Sequence, residues 1–162
     1  MHILKTFSPL LKEPSLIDDL PVVARITKFD EASAKAFSSI VSKAQNTGQP
    51  VLPVIIDSYG GQVYSLMSMI SNIKHSRIPV ATIIEGKAMS CGAILFSFGE
   101  EGMRYIDPDA TVMIHEVSAM AWDKKGHADW FLDADECLKH GLANHAKIPE
   151  LKIDTRVSFK FE

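Results

Sequence analysis

The sequence contains little cysteine, no long apolar run and no excess of either charge. Its two cysteines, Cys91 and Cys137, are too few for a disulfide framework, and both are interpreted as reduced thiols of an intracellular protein. The apolar stretches are too short to span a membrane, and the first residues lack the features of a secretory signal. The net charge of −3 predicts no general affinity for nucleic acid or membranes. We therefore expect a cytoplasmic protein.

What the chain does contain is enough apolar sequence for one core. Of its 162 residues, 46% are hydrophobic, and we find no internal repeat, low-complexity stretch or linker. These features predict one main domain at 21–145. It is preceded by an arm at 1–20, where Pro9 and Pro14 interrupt a weak pattern, and followed by a tail at 146–162. Alternating apolar and polar residues at 151–161 predict an edge or hairpin strand in that tail.

The hydrophobic pattern predicts alternating strands and helices. Asp30 is the predicted N-cap of a helix over 31–45, and a second helix is predicted over 62–75. Continuous rather than alternating polarity at 51–57 predicts a strand buried on both faces, as in a mostly parallel sheet. Further strands are predicted at 22–26, 79–84, 103–106 and 111–114. A capping box that begins at Asp133 predicts a last helix, which ends at Gly141. The class is therefore α/β.

Ser90 is predicted at a junction between the strand over 79–84 and a short apolar helix that follows it. A hydroxyl there lies beside unpaired backbone N–H groups at the positive end of the helix. Those groups could stabilise an oxyanion formed next to the serine. A lone serine before a helix is more often only its N-cap, and the pattern by itself leaves both interpretations open.

Other polar features compete with ordinary structural explanations. His115 directly follows a predicted strand and is either a general base or a hydrogen-bonded structural histidine. The Gly60-Gly61 pair could cradle a phosphate, but it lacks a G-x-G-x-x-G or Walker pattern and is more often a turn.

Acidic and histidine side chains between 127 and 145 suggest a metal cluster. Its members would be His127, Asp129, Asp133, Asp135, His140 and His145. Helix capping already explains the acidic residues from Asp133 onward, and the histidine spacing is not that of H-E-x-x-H. We therefore predict neither a metal nor a cofactor.

Taken together, three segments form a specific pattern. They are Asp57-Ser58-Tyr59-Gly60-Gly61, Gly86-Lys87-Ala88-Met89-Ser90-Cys91-Gly92-Ala93 and Val112-Met113-Ile114-His115. In order and spacing they resemble the proteolytic subunit of the Clp protease, whose segments read Asn-Ser-Pro-Gly-Gly, Gly-Gln-Ala-Ala-Ser-Met-Gly-Ala and Val-Met-Ile-His. The resemblance covers residues 22–145 and implies a Clp/crotonase-type α/β fold of repeated β-β-α units.

The resemblance also implies a set of site residues. By position, Ser90 is the nucleophile, His115 its general base, and the amides of Gly61 and Cys91 form the oxyanion hole. The stretch Asp129-Trp130-Phe131-Leu132 resembles the family's Asp-Arg-Phe-Leu, which makes Asp129 the third catalytic residue. Asp129 lies only 14 positions after His115, so the family's handle of a strand and a long helix is missing.

The implied function is that of a serine-type endopeptidase subunit in a homo-oligomeric ring. Its substrates would be peptides or unfolded proteins, and its partner an AAA+ unfoldase or a host Clp subunit. Two alternatives stay open. One is a non-proteolytic regulatory subunit that joins or blocks a host Clp ring, and the other is a crotonase-type acyl-CoA enzyme. The Ser/His/Asp set is redundant for the chemistry of an acyl-CoA enzyme, which argues against that alternative.

Overall fold

The structure is a computed structural model that describes residues 21–115 and 129–150. The predicted arm at 1–20 and the strand predicted at 151–161 lie outside these residues. The described chain is an α/β fold built on one sheet, which confirms the predicted class. Its elements are β1 Ala24–Ile26, α1 Glu31–Thr47, β2 Leu52–Ser58, α2 Val63–Lys74, β3 Val80–Met89, α3 Cys91–Ser97, β4 Arg104–Ile106, β5 Thr111–Ile114, β6 Trp130–Leu132 and α4 Ala134–Lys139.

The sheet has the strand order β1-β2-β3-β5-β6, and β4 also pairs with β3. All of these pairs are parallel except β5 with β6, which is antiparallel. The parallel pairing agrees with the continuous apolar sequences of β2 and β3, because such strands are covered on both faces. Pro53 is tolerated inside β2, where it lies opposite Ala81.

Strand β3 is longer than the sequence predicts and pairs with different strands along its length. Its first part pairs with β4 up to Ile84↔Ile106, and its last part pairs with β5 from Lys87↔Thr111 to Met89↔Met113. The prediction ended this strand at 84 because the next residues are polar. Backbone pairing with β5 continues the strand regardless of polarity and ends it directly before Ser90.

Helix α1 starts and ends at side chains that the sequence identifies. The Asp30 carboxylate accepts a hydrogen bond from the Ser33 amide, and the Ser33 hydroxyl accepts one from the Asp30 amide, so the two form a capping box. The helix continues to Thr47, two residues beyond the predicted end. Gly48 terminates it with a φ of 77°, a left-handed conformation that favours glycine.

The core lies between the sheet and the helices that cover it. Helix α1 packs against α2 and β1, and α3 packs against α2, β2, β3 and β5. The largest fully buried side chains are Phe37, Phe96, Leu52, Ile56, Met69, Ile84, Leu95 and Ile106. Ile84 of β3 and both Leu95 and Phe96 of α3, the two elements that meet at Ser90, belong to this buried set. Among the described residues, no helix has the length and apolarity that crossing a membrane requires.

Candidate active site

Ser90 lies between β3 and α3 in an unusual backbone conformation. Its φ of 53° and ψ of −116° make it the one non-glycine residue with positive φ in the described chain. Such conformations cost about 1–3 kcal/mol and persist only where neighbouring structure enforces them. Here the Ser90 amide donates to the Met113 carbonyl at 2.9 Å, and the Ser90 carbonyl accepts from the Ile94 amide at 3.2 Å. Strand β5 and helix α3 thus hold the residue from both sides.

The Ser90 hydroxyl does not cap the helix that it precedes. Its side chain makes no capping hydrogen bond, so the ordinary N-cap interpretation is wrong. The hydroxyl lies instead 2.8 Å from Nε2 of His115. This distance is within the range in which a base can accept the proton of an attacking hydroxyl.

The same strand that anchors Ser90 also delivers His115. Met113 accepts the Ser90 amide, and His115 follows two positions later, immediately after the end of β5 at Ile114. The β3–β5 pairing therefore brings the chain segment that carries His115 next to Ser90.

The Gly60-Gly61 turn packs directly against Ser90. Gly60 has a φ of 103°, and a Cβ added there would lie 3.0 Å from both the Met89 carbonyl oxygen and the Ser90 Cβ. Gly61 has a φ of 153°, and an added Cβ would lie 2.5 Å from the Phe29 carbonyl oxygen. Only glycine provides both the conformation and the space at these positions.

Two backbone amides in this region donate to no acceptor within the part of the chain that the structure describes. Among residues 21–115 and 129–150, none accepts a hydrogen bond from the N–H of Gly61 or of Cys91. Cys91 is the first residue of α3, where an amide has no partner within its own helix. Unpaired amides beside a serine hydroxyl are suited to stabilise negative charge on a bound oxygen.

Asp129 immediately precedes β6 and is exposed. Strand β6 pairs with β5 through Ile114↔Trp130, and the same antiparallel register continued by one position would set Asp129 opposite His115. No hydrogen bond between these two side chains occurs among the contacts of the described residues. The pairing of β5 with β6 thus brings Asp129 to the same sheet edge as His115, without a direct hydrogen bond between their side chains.

Charged side chains lie beside the glycine turn. Nζ of Lys87 is 2.7 Å from Oδ1 of Asp57 and 4.5 Å from the centroid of the Tyr59 ring. The hydrogen bond from Lys87 to Asp57 raises the pKa of the ammonium group. Tyr59 stands where the resembling family has proline, and its contact with Lys87 restrains a ring that is otherwise exposed.

Three contacts that the sequence analysis missed hold the glycine turn. The Ser58 hydroxyl accepts from the Gly60 amide, the Phe29 carbonyl accepts from the Gln62 amide, and the Cys91 thiol donates to the Gly61 carbonyl. A hydroxyl residue two positions before a glycine is a recognisable turn signal. Nothing in the sequence indicates the other two contacts, because they join distant segments.

The suggested metal cluster is not assembled in the part of the chain that the structure covers. No three His, Cys, Asp or Glu side chains there are placed to hold a metal ion. Asp133 accepts from the Glu136 amide as a helix cap, as predicted. His145 stacks on Tyr105 with ring centroids 4.8 Å apart, and His127 lies outside the described residues.

Comparison with known proteins agrees with this geometry. The family model of the Clp protease matches residues 16–155. The chain belongs to the Clp protease family. The ATP-dependent Clp protease proteolytic subunit of Deinococcus radiodurans is 30% identical to this family member over 113 residues. That match covers 70% of the chain and 52% of the relative, so the chain spans about half the length of the curated relative.

Proposed function

We propose that this Clp family member is a serine-type endopeptidase that cleaves unfolded peptides. The observation that carries the proposal is the 2.8 Å contact between Ser90 Oγ and His115 Nε2, formed by a serine in an enforced positive-φ conformation. The amides of Gly61 and Cys91, which have no acceptor among residues 21–115 and 129–150, support the same chemistry. Family membership supports a serine peptidase.

The proposed reaction begins with attack of Ser90 Oγ on the scissile carbonyl carbon, as Nε2 of His115 accepts the hydroxyl proton. The carbonyl π electrons move to oxygen, and the Gly61 and Cys91 amides stabilise the oxyanion. When the C–N bond breaks, His115 returns the proton to the leaving amine and an acyl-enzyme remains. Water then attacks the ester, again giving its proton to His115, and Ser90 recovers that proton as the acid product leaves.

In this proposal Asp129 orients His115 and stabilises its protonated form. The support is the family-like Asp-Trp-Phe-Leu stretch together with the β5–β6 register, which brings residue 129 to the His115 end of the sheet. A carboxylate in that role holds the imidazole with Nε2 free to accept the serine proton.

Labelling by a fluorophosphonate tests the proposal. Ser90 Oγ would displace fluoride from phosphorus, forming an O–P bond as the P–F bond breaks and His115 takes the proton. Tandem mass spectrometry should place the adduct on Ser90. Ser90→Ala should abolish it, whereas Ser97→Ala, at the other end of the same helix, should label normally. An unlabelled native assembly would overturn the peptidase proposal.

A second candidate is a non-proteolytic subunit that joins or blocks a Clp ring. It is favoured by the short connection of β5 to β6, which stands in place of the family handle. This candidate predicts that the chain co-purifies with host Clp subunits and lowers their peptidase rate. If fluorophosphonate labels Ser90 and isolated protein cuts peptides, the candidate is excluded.

A further inference from the structure

The Cys91 thiol contacts the glycine turn from the position directly after the proposed nucleophile. Its side chain is buried, with 2% of its surface exposed, and Sγ lies 3.3 Å from the Gly61 carbonyl oxygen. Cys91 immediately follows Ser90, and its amide and its side chain have different roles. The amide is one of the two proposed oxyanion donors, and the thiol donates to the carbonyl of the other proposed oxyanion residue.

The peptide group between Gly61 and Gln62 is held at both ends. Its carbonyl accepts from the Cys91 thiol, and its N–H donates to the Phe29 carbonyl at 2.8 Å. The preceding turn is held as well, because the Gly60 amide donates to the Ser58 hydroxyl at 3.0 Å. Both peptide groups that flank the Gly60–Gly61 peptide are therefore anchored by side chains or backbone outside the two glycines.

This anchoring matters because glycine dihedrals are soft. Without fixed flanking groups, the peptide that carries the Gly61 amide could rotate about the Gly60 ψ and Gly61 φ bonds at little cost. An oxyanion donor accelerates a reaction only when it is already aimed at the site where charge develops. Fixing the Gly61–Gln62 peptide restricts that rotation on one side.

We infer that Cys91 is a positioning residue, whose thiol fixes the glycine turn so that the Gly61 amide points at the developing oxyanion. The inference rests on the proposed peptidase function for its catalytic consequence. It assigns Cys91 two separate tasks, one through its amide and one through its side chain. The thiol neither touches substrate nor acts as a nucleophile in this assignment.

A matched pair of variants separates hydrogen bonding from packing. Cys91→Ser and Cys91→Ala leave similar space, but only serine keeps a donor for the Gly61 carbonyl. We expect Cys91→Ala to lower kcat about five- to tenfold with KM little changed, as for loss of one neutral hydrogen bond felt in the transition state. Cys91→Ser should retain most of the wild-type kcat. Cys137→Ala is the control, because Cys137 is equally buried in α4, and its thiol makes no hydrogen bond among the described residues.

A second measurement does not require activity. Hydrogen–deuterium exchange of peptides covering 58–64 reports how stable the hydrogen bond from the Gln62 amide to the Phe29 carbonyl is. Exchange should accelerate in Cys91→Ala and stay near the wild-type rate in Cys91→Ser and Cys137→Ala. Equal exchange and equal kcat for the alanine and serine variants would overturn the inference. If wild-type protein is not labelled by fluorophosphonate yet the exchange difference appears, the peptidase proposal fails while the positioning role stands.

Discussion

At Ser90, a backbone conformation that most residues avoid aims the hydroxyl away from the helix it precedes. Two hydrogen bonds enforce this conformation: the Ser90 amide donates to the Met113 carbonyl, and the Ile94 amide donates to the Ser90 carbonyl. The hydroxyl is then left for His115 rather than for capping. The local strain of about 1–3 kcal/mol is therefore offset by the pairing of β3 with β5 and by the start of α3.

Asp129 gives the first prediction at this scale. Asp129→Asn should lower the peptidase rate by up to about 10⁴-fold, because the amide would favour the wrong imidazole tautomer. Asp123 is the nearest rival in the sequence and lies outside the described residues, and Asp123→Asn should cost little. The rates are measured on a short fluorogenic peptide. If the ranking is reversed, the family match at Asp129 has been aligned wrongly.

Gly61 gives the second prediction. An alanine Cβ would lie 2.5 Å from the Phe29 carbonyl oxygen, so the turn must move and the amide lose its aim. We expect kcat to fall about 10²–10³-fold, as for removal of one oxyanion donor. Gly102→Ala is the control: Gly102 also has positive φ, at 80°, but nothing lies within 4 Å of an added Cβ. A Gly61→Ala enzyme with wild-type kcat would rule out this amide as a donor.

At the scale of the element, α1 depends on the Asp30 cap. Two hydrogen bonds lower the pKa of Asp30 from 3.8 to about 2. The larger effect comes from Lys28, and the next from the Ser33 amide. Because the folded-state pKa is depressed, the ionised cap stabilises the fold fully above pH 4. That contribution is lost as the pH falls through about 2.

This linkage predicts the behaviour of Asp30→Asn, which keeps the acceptor and removes the charge. Its Tm should lie below that of the wild type near neutral pH, and the difference should shrink as the pH falls from 4 toward 2. Scanning calorimetry across that range measures it. Asp109→Asn, at an exposed turn, controls for the loss of one negative charge. A Tm difference that grows on acidification would contradict the assignment of the cap.

Strand β6 is the element that the sequence analysis missed. Its three residues carry the exposed aromatic pair Trp130 and Phe131, and neither periodicity nor length distinguishes so short a strand from a loop. It forms because β5 offers it a free edge, which is a tertiary circumstance. The four helices were predicted because their caps and apolar faces are local features.

At the scale of the whole molecule, the apolar surface bears on assembly. Of the three apolar residues Met67, Met69 and Phe98, Met69 is buried, Phe98 is half-buried and Met67 is exposed. Met67 lies on α2, where Val63 and Tyr64 are exposed as well. Exposed apolar side chains grouped on one helix face are typical of an interface between protein chains.

We therefore predict a single closed ring of six or seven copies, because the resemblance implies that two rings stack through the handle and the stretch between His115 and Asp129 is too short to contain it. Such a ring encloses no sealed chamber, so folded proteins should be spared and short or unfolded peptides cut slowly. Analytical ultracentrifugation should give six or seven times the chain mass of 17.9 kDa. A particle of twice that size would mean that another segment, such as the tail at 151–161, joins two rings. A strict monomer would exclude the ring.

A charged substitution tests the exposed face of α2 that carries Val63, Tyr64 and Met67. Met67→Lys should shift the particle toward monomer, because it places a cation within an apolar contact. Ala36→Lys, at an exposed position of α1, adds the same charge elsewhere. Equal dissociation in both variants would show that charge, and not this face of α2, controls assembly.

The sequence by itself determined the α/β class, the caps of α1 and α4, the buried strands and the order of the Gly-Gly, Ser90 and His115 segments. These follow from local hydrogen-bonding chemistry and from the periodicity of apolar residues. Only the tertiary structure decided that Ser90 adopts positive φ, that β3 extends to Met89, and that the Cys91 thiol meets the Gly61 carbonyl. Each of these depends on segments far apart in the chain, whose approach is set by strand pairing and packing rather than by neighbouring residues.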